Sequence, residues 1–178
     1  ILTAPTLRQV QLGTFAYIKD RYGFAKSQAM LENKPNPMPG WLTEQGEWKY
    51  ATPGGNQFLA VARVPSPQDA VSTMQGLRKT GGRNFIGLDE AGGVSREVFT
   101  AIDALMTSGD SRMFGIGNPD RRGTEFHDAF THPSKKTSYN LHTISAYDLP
   151  TMTGERVYPR TPEGDETEEM MLRGLTSK

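Results

Sequence analysis

The sequence predicts an α/β domain with a largely parallel sheet flanked by helices, and three observations lead there. Short apolar segments of strand length alternate with longer segments of helical periodicity, as in Phe85–Leu88, Ser95–Met106 and Arg112–Ile116. Two of the strand-like segments run into polar residues, Asp89-Glu90 and Asn118. The 178 residues suffice for one domain with a real core, and not for two full ones.

Taken in order, Ile1-Leu2-Thr3 reads as a short strand that Ala4-Pro5-Thr6 ends. Thr6 is placed to cap a helix over Leu7–Tyr22, although Val10, Leu12, Phe15, Ala16 and Ile18 fit a helical face only in part. The pattern dissolves from Gly23 to Gly46, where Lys34-Pro35-Asn36-Pro37-Met38-Pro39-Gly40 demands a loop. Trp48–Ala51 and Phe58–Val64 read as two strands joined by the hairpin-like Thr52-Pro53-Gly54-Gly55-Asn56. Gln68–Lys79 suits a helix that Gly81-Gly82 stops, and Phe85–Leu88 is a compact strand of the buried type. From Ser95 onward, Val98, Phe99, Ile102, Leu105 and Met106 keep the three-four spacing of a helix face. Gly109-Asp110 ends that helix. Arg112–Ile116 is the next strand, Thr124–Phe130 a short helix and Ser138–Ile144 a further strand. Residues 1–147 form the core segment, and the acidic, Pro-containing stretch 148–178 reads as a linker towards a following domain.

Bulk properties narrow the function classes. Mean hydropathy of −0.56 is polar for a globular protein, yet the composition stops short of a disordered one. No apolar run approaches the roughly 18 residues of a membrane span, so a soluble protein without a membrane partner is expected. Ile1-Leu2-Thr3-Ala4-Pro5 does not read as a signal peptide; it begins as if inside a strand and without an initiator Met, so a fragment is expected. The absence of cysteine excludes disulfides, thiolate nucleophiles and Cys-based zinc sites. His127, His132 and His142 have no metal-ligand spacing. Formal charge is zero, divided into +3 over residues 1–147 and −3 over residues 148–178; neither value alone argues for nucleic acid or a membrane.

Asp89-Glu90 follows the apolar Phe85-Ile86-Gly87-Leu88 and so falls at the carboxyl end of a buried strand, where ligands of open α/β sheets bind. Neighbouring strand residues point to opposite sides, which lets one carboxylate reach a magnesium ion and the other an attacking water. Magnesium suits a site with one or two carboxylates completed by waters and substrate phosphates. A metal-holding Asp89 beside a water-orienting Glu90 is therefore a workable unit for phosphoryl transfer. Two acids after an apolar strand also occur as a plain solvated loop start, and the pair alone does not separate these readings. The second strand end, Gly117-Asn118-Pro119, offers an amide that can bond a terminal phosphate or the lytic water, or else an ordinary Asn-Pro turn.

Taken together, four blocks resemble the ATPase domain of tailed-phage terminase large subunits: Thr3-Ala4-Pro5-Thr6-Leu7-Arg8-Gln9-Val10, Met74-Gln75-Gly76-Leu77-Arg78, Phe85 through Val94, and Gly115-Ile116-Gly117-Asn118-Pro119. Their order and spacing match as well as their content, and Gly123-Thr124-Glu125-Phe126 fits too. The resemblance covers about residues 1–150. It implies a P-loop NTPase-type (ASCE/RecA-like) fold and ATP hydrolysis that powers translocation of viral DNA into a procapsid. It assigns Asp89 to magnesium, Glu90 to the catalytic carboxylate and Gly117-Asn118-Pro119 to the motif coupling hydrolysis to motion, and it makes Arg8 and Gln9 nucleotide-proximal candidates. ATP and Mg2+ are the implied cofactors. The implied partners are double-stranded DNA, a portal protein and a small terminase subunit, in a homo-oligomeric ring on the procapsid in the host cytoplasm.

One departure is large. The family has a phosphate-binding loop ending in Gly-Lys-Ser/Thr, and no such sequence occurs in these 178 residues. In the family it precedes the strand matching Ile1-Leu2-Thr3. Without the strand that leads into it, Arg112–Ile116 is expected to lack a neighbour and expose a sheet edge. A non-catalytic ATPase-like scaffold and a helicase-like DNA motor are the alternatives, though a helicase needs a second motor domain. Arg8 reads equally as a surface residue and Arg121-Arg122 at least equally as a solvated turn, while Arg78 stands just before the acid-pair strand. For Arg78 the role is to face the nucleotide or a neighbouring subunit, and for Arg121-Arg122 the other role is to contact DNA or a neighbour's ATP. Trp41, Trp48 and His127 read as packing residues, and Asp165-Glu166 and Glu168-Glu169 as solvated acids.

Overall fold

The structure, a computed structural model, describes residues 1–78, 82–107, 110–118, 120–153, 155, 161–162, 164–167 and 169–170. Strand β1 (Leu2–Thr3) leads through Ala4-Pro5 to Thr6, whose hydroxyl caps helix α1 (Leu7–Leu12) by accepting from Gln9 N at 3.2 Å. The single helix expected to Tyr22 is in fact two. Gly13 leaves helical geometry at φ −91° and ψ −101°, and α2 (Thr14–Leu31) restarts at Thr14 and continues through Gly23. It buries only Phe15 and Ala29, while Tyr17, Phe24, Met30 and Leu31 are exposed. No apolar stripe therefore marks its length in the sequence.

Strands β2 (Trp41–Leu42), β3 (Glu47–Thr52) and β4 (Gly55–Val61) form an antiparallel sheet in the order β2-β3-β4. The β3–β4 hairpin is the expected one; β2 lies inside the stretch read as loop, and two residues are too few to show a period of two. Helix α3 (Ala70–Gly76) is followed by β5 (Phe85–Leu88), α4 (Arg96–Met106) and β6 (Arg112–Gly115). Lys79 at the end of the expected helix and Gly81 of the Gly81-Gly82 stop lie outside the described residues. Strands β1, β5 and β6 make a parallel sheet in the order β1-β5-β6, with Leu2 opposite Gly87 and Gly87 opposite Phe114. A parallel bridge between Leu2 and Ala62, with Arg63 N donating to Leu2 O at 2.9 Å, ties the hairpin sheet to β1. The fold is thus α/β, parallel at its centre and antiparallel in the second sheet.

Alternation on β5 decides where the core sits. Ile86 and Leu88 point to one face and pack with Ala70 and Met74 of α3 and with Val98, Phe99, Ala101, Ile102 and Leu105 of α4, all buried. The periodic face read from the sequence is the face that α4 buries. A second cluster of Ala4, Val10, Phe15 and Ala62 packs with Leu2, Ile18, Leu42 and Trp48. The other side of the parallel sheet differs: Phe85 is 58% and Phe114 59% exposed, and Ile116 just beyond β6 is 57% exposed. Among the described residues β6 pairs only with β5, so it is a sheet edge.

Helix α5 (Glu125–Thr131) is capped by Thr124, whose hydroxyl accepts from His127 N at 3.2 Å, and α6 (Pro133–Lys136) follows with its Pro at the helix start. The strand expected over Ser138–Ile144 is not formed. Tyr139 and Leu141 have the alternate spacing of a strand, but no strand is formed over 138–144 among the described residues and Ile144 is 77% exposed.

Contacts divide the chain into two units, Ile1–Ser138 and Tyr139–Lys178. The second contains a 3-10 turn at Ala146–Asp148, where Ser145 N donates to Asp148 Oδ2 at 2.7 Å, then α7 (Pro150–Thr153) and helical residues at 162, 164–167 and 169–170. Asp165, Glu166 and Glu169 are exposed, and Glu168 lies outside the described residues. Among the described residues no helix is long and apolar enough to cross a membrane.

Candidate functional site

The carboxyl ends of the parallel strands bring the two polar strand ends together. Asp89 N donates to Thr3 O at 2.9 Å, continuing the β1–β5 ladder one residue past β5. On the other side Ile116 N donates to Leu88 O at 3.0 Å, and Ala91 N returns a bond to Ile116 O at 2.8 Å. The chain after β5 is thus stitched to the chain after β6. Packing there leaves no space for side chains at two positions. A Cβ on Gly92 would lie 2.5 Å from Asn118 O, and one on Gly117 would lie 2.8 Å from Ala91 N. Glycine is required at both by close backbone approach.

Glu90 sits in the left-handed region at φ 52° and ψ 43°, and opens the 3-10 turn Ala91–Gly93. A non-glycine residue there carries about 1 kcal/mol or more of backbone strain, a cost that clusters at functional sites. This turn, and not strand alternation, separates the two acids, since both lie beyond the last residue of β5. Asp89 is half-buried and Glu90 is exposed. The Thr14 hydroxyl, at the start of α2, donates to Asp89 Oδ2 at 2.7 Å. Asp89 Oδ1 has no hydrogen-bond partner, and Asp89 no cationic partner, among the described residues.

The other sequence-derived candidates fall into two groups. Gly117 and Asn118 are exposed on the loop against Ala91-Gly92, while Pro119 lies outside the described residues. Arg121 Nη1 lies 3.9 Å from the Cβ position of Gly93, and no carboxylate among the described residues pairs with it. Arg121 therefore belongs to the same rim. Arg8 and Gln9 on α1 are exposed. Gln9 reaches the rim through its backbone: its carbonyl accepts from Gly13 N at 2.8 Å, and a Cβ on Gly13 would lie 3.6 Å from Asp89 Oδ2. Its side-chain oxygen instead accepts from Thr6 Oγ1 at 2.8 Å. Trp48 is structural, with its indole N–H donating to Pro39 O at 2.7 Å and its ring edge-on to Tyr22.

No group of three or more His, Asp or Glu that can hold a metal is formed among the described residues. The donor set still fits a hard cation: one half-buried carboxylate with a free oxygen, beside a second, exposed carboxylate, with the remaining ligands left to phosphate and water. Sequence reading missed Thr14. Its signal was the Gly13-Thr14 pair, a glycine break followed by a residue that favours helix starts. Comparison with family models, with curated proteins and with solved structures finds no match to this chain.

Proposed function

We propose that this chain is the ATPase portion of a terminase large-subunit motor, hydrolysing ATP to drive double-stranded viral DNA into a procapsid. The observation that carries the reading is the apposition of Asp89-Glu90 and Gly117-Asn118 at the carboxyl ends of adjacent parallel strands. Magnesium bound there with ATP neutralises phosphate charge. Asp89 offers its free oxygen to that ion, and Glu90, swung away by its left-handed turn, orients the attacking water. The Asn118 amide bonds the terminal phosphate or the water. Because Asn118 O packs on Gly92, any change at the phosphate is felt in both loops. Arg8 and Gln9 lie on the helix that enters the rim and are assigned to the nucleotide side.

The bare flank of the sheet supports the same reading. A further parallel strand beside β6, followed by a helix over Phe85, Phe114 and Ile116, is what a complete P-loop sheet requires. The reading also requires a phosphate loop outside these 178 residues, and a portal protein, a small terminase subunit and sister subunits as partners in the infected host cytoplasm. A helicase-like motor would need a second motor domain as well.

Glu90→Gln in the full-length protein is expected to abolish ATP turnover while ATP binding persists; unchanged turnover removes the role given to Glu90. A second reading, a non-catalytic ATPase-like scaffold, is favoured by one observation, the lack of a Gly-Lys-Ser/Thr sequence in the chain. Failure of full-length protein to bind ATP at all would select it.

A further inference from the structure

We infer that Thr14 is the positioning residue for Asp89, fixing which carboxylate oxygen is presented to the divalent cation. The inference rests on the reading of Asp89 as the cation-holding acid. Four observations carry it. First, the bond joins residues far apart in sequence: Thr14 Oγ1 donates to Asp89 Oδ2 at 2.7 Å in a part-buried setting. A hydroxyl held at that distance fixes the torsion of the carboxylate. Secondly, the Asp89 backbone is fixed independently by its bond to Thr3 O, so the acid is held at both ends. A carboxylate with main chain and one oxygen constrained has one direction left for the other oxygen.

Thirdly, the orienting group is neutral. No Lys, Arg or His among the described residues pairs with Asp89, so no side-chain cation competes with a metal for it. A lysine in the same place would hold the carboxylate as well, but would compete with a metal. Fourthly, Thr14 is presented by a break made for it. Gly13 leaves helical geometry beside the carboxylate, where a side chain would meet Gln9 O at 2.6 Å, and α2 begins anew with Thr14 in its first turn. Gly13 receives no side-chain cap of its own. The hydroxyl of Thr14, the first residue of α2, is spent on the carboxylate. Groups that orient a metal ligand without touching the metal typically alter affinity by about 10–100-fold when removed.

The test uses full-length protein with a non-hydrolysable ATP analogue and Mn2+ as a paramagnetic stand-in for magnesium, bound Mn2+ being measured by electron paramagnetic resonance. Thr14→Val, which keeps shape and removes the donor, is expected to weaken Mn2+ binding about tenfold. The Mg2+ concentration for half-maximal ATP turnover should rise in parallel. Thr14→Ser restores the hydroxyl and should restore both. Unchanged Mn2+ affinity in Thr14→Val, with only the melting temperature altered, overturns the inference, as does a Thr14→Ser variant as weak as Thr14→Val. Should Thr14→Val not fold, Thr14→Ala gives the same comparison, because alanine is well tolerated in a first helical turn. Asp89→Asn separates the two levels. If it abolishes Mn2+ binding while Thr14→Val does not weaken it, only the role of Thr14 falls; if Asp89→Asn itself binds normally, the reading of the acid pair falls with it.

Discussion

Glu90 combines an exposed carboxylate with a strained backbone, and the two properties make opposite demands. Replacing it by glycine removes the left-handed penalty and, because the side chain is exposed, sacrifices little packing. Glu90→Gly in full-length protein is expected to gain about 0.5–1 kcal/mol in a urea melt while losing ATP turnover. A destabilised variant would mean that the turn is held by contacts of the Glu90 side chain. At this scale the sequence was informative wherever a residue's role follows from its immediate neighbours. Asp89, Glu90, Gly117 and Asn118 stand directly after apolar runs, so their place at strand ends could be read. Thr14 could not be. Its partner lies in β5's outgoing loop, and a Thr inside an expected continuous helix carries no mark of a contact to a strand arriving so much later in the chain.

Elements were legible in proportion to how one-sided their burial is. Helix α4 buries one stripe and β5 buries Ile86 and Leu88 on one face, so both show in the sequence, although Phe85 is exposed; α2 is exposed at Tyr17, Phe24, Met30 and Leu31 and shows nothing. The hairpin β3–β4 was legible from its Pro-Gly-Gly turn, but not the charge arrangement at its base. There Glu47, buried, meets Lys49 Nζ at 2.6 Å and Arg63 on the far side. The Lys49 hydrogen bond, helped by Arg63 and opposed by burial, holds the Glu47 carboxyl below its usual range. A carboxyl whose folded value is lowered stabilises in full above the unfolded value, about 4.3, and loses that contribution as pH falls through the folded one. Glu47→Gln is therefore expected to cost about 2 kcal/mol at pH 7. The gap from wild type should narrow in urea midpoints taken at pH 3.5. A gap that widens on acidification contradicts the assignment.

For the molecule as a whole, the α/β class was legible because alternating element types leave few ways to build layers. The antiparallel extension and the division near Ser138 were less so, since Ser138–Ile144 reads as a strand in the sequence but is not one among the described residues. The open flank at β6 sets the expectation for the segment studied by itself. Its bare Phe85 and Phe114, and an edge that is unpaired among the described residues, leave a sheet face to water. The purified 178-residue segment is expected to show no ATP turnover and no cooperative thermal melt. Measurable phosphate release, or a sharp transition with full secondary structure, would contradict these expectations separately.

The contact between Thr14 and Asp89 has a mechanical side. Helix α2 has 18 residues, so it is a rod about 27 Å long. It is bonded to the acid at its first residue, held midway by Tyr22, whose hydroxyl donates to Gly40 O, and exposed at Leu31 at its far end. The acid and the Gly40 loop are thereby joined through one helix.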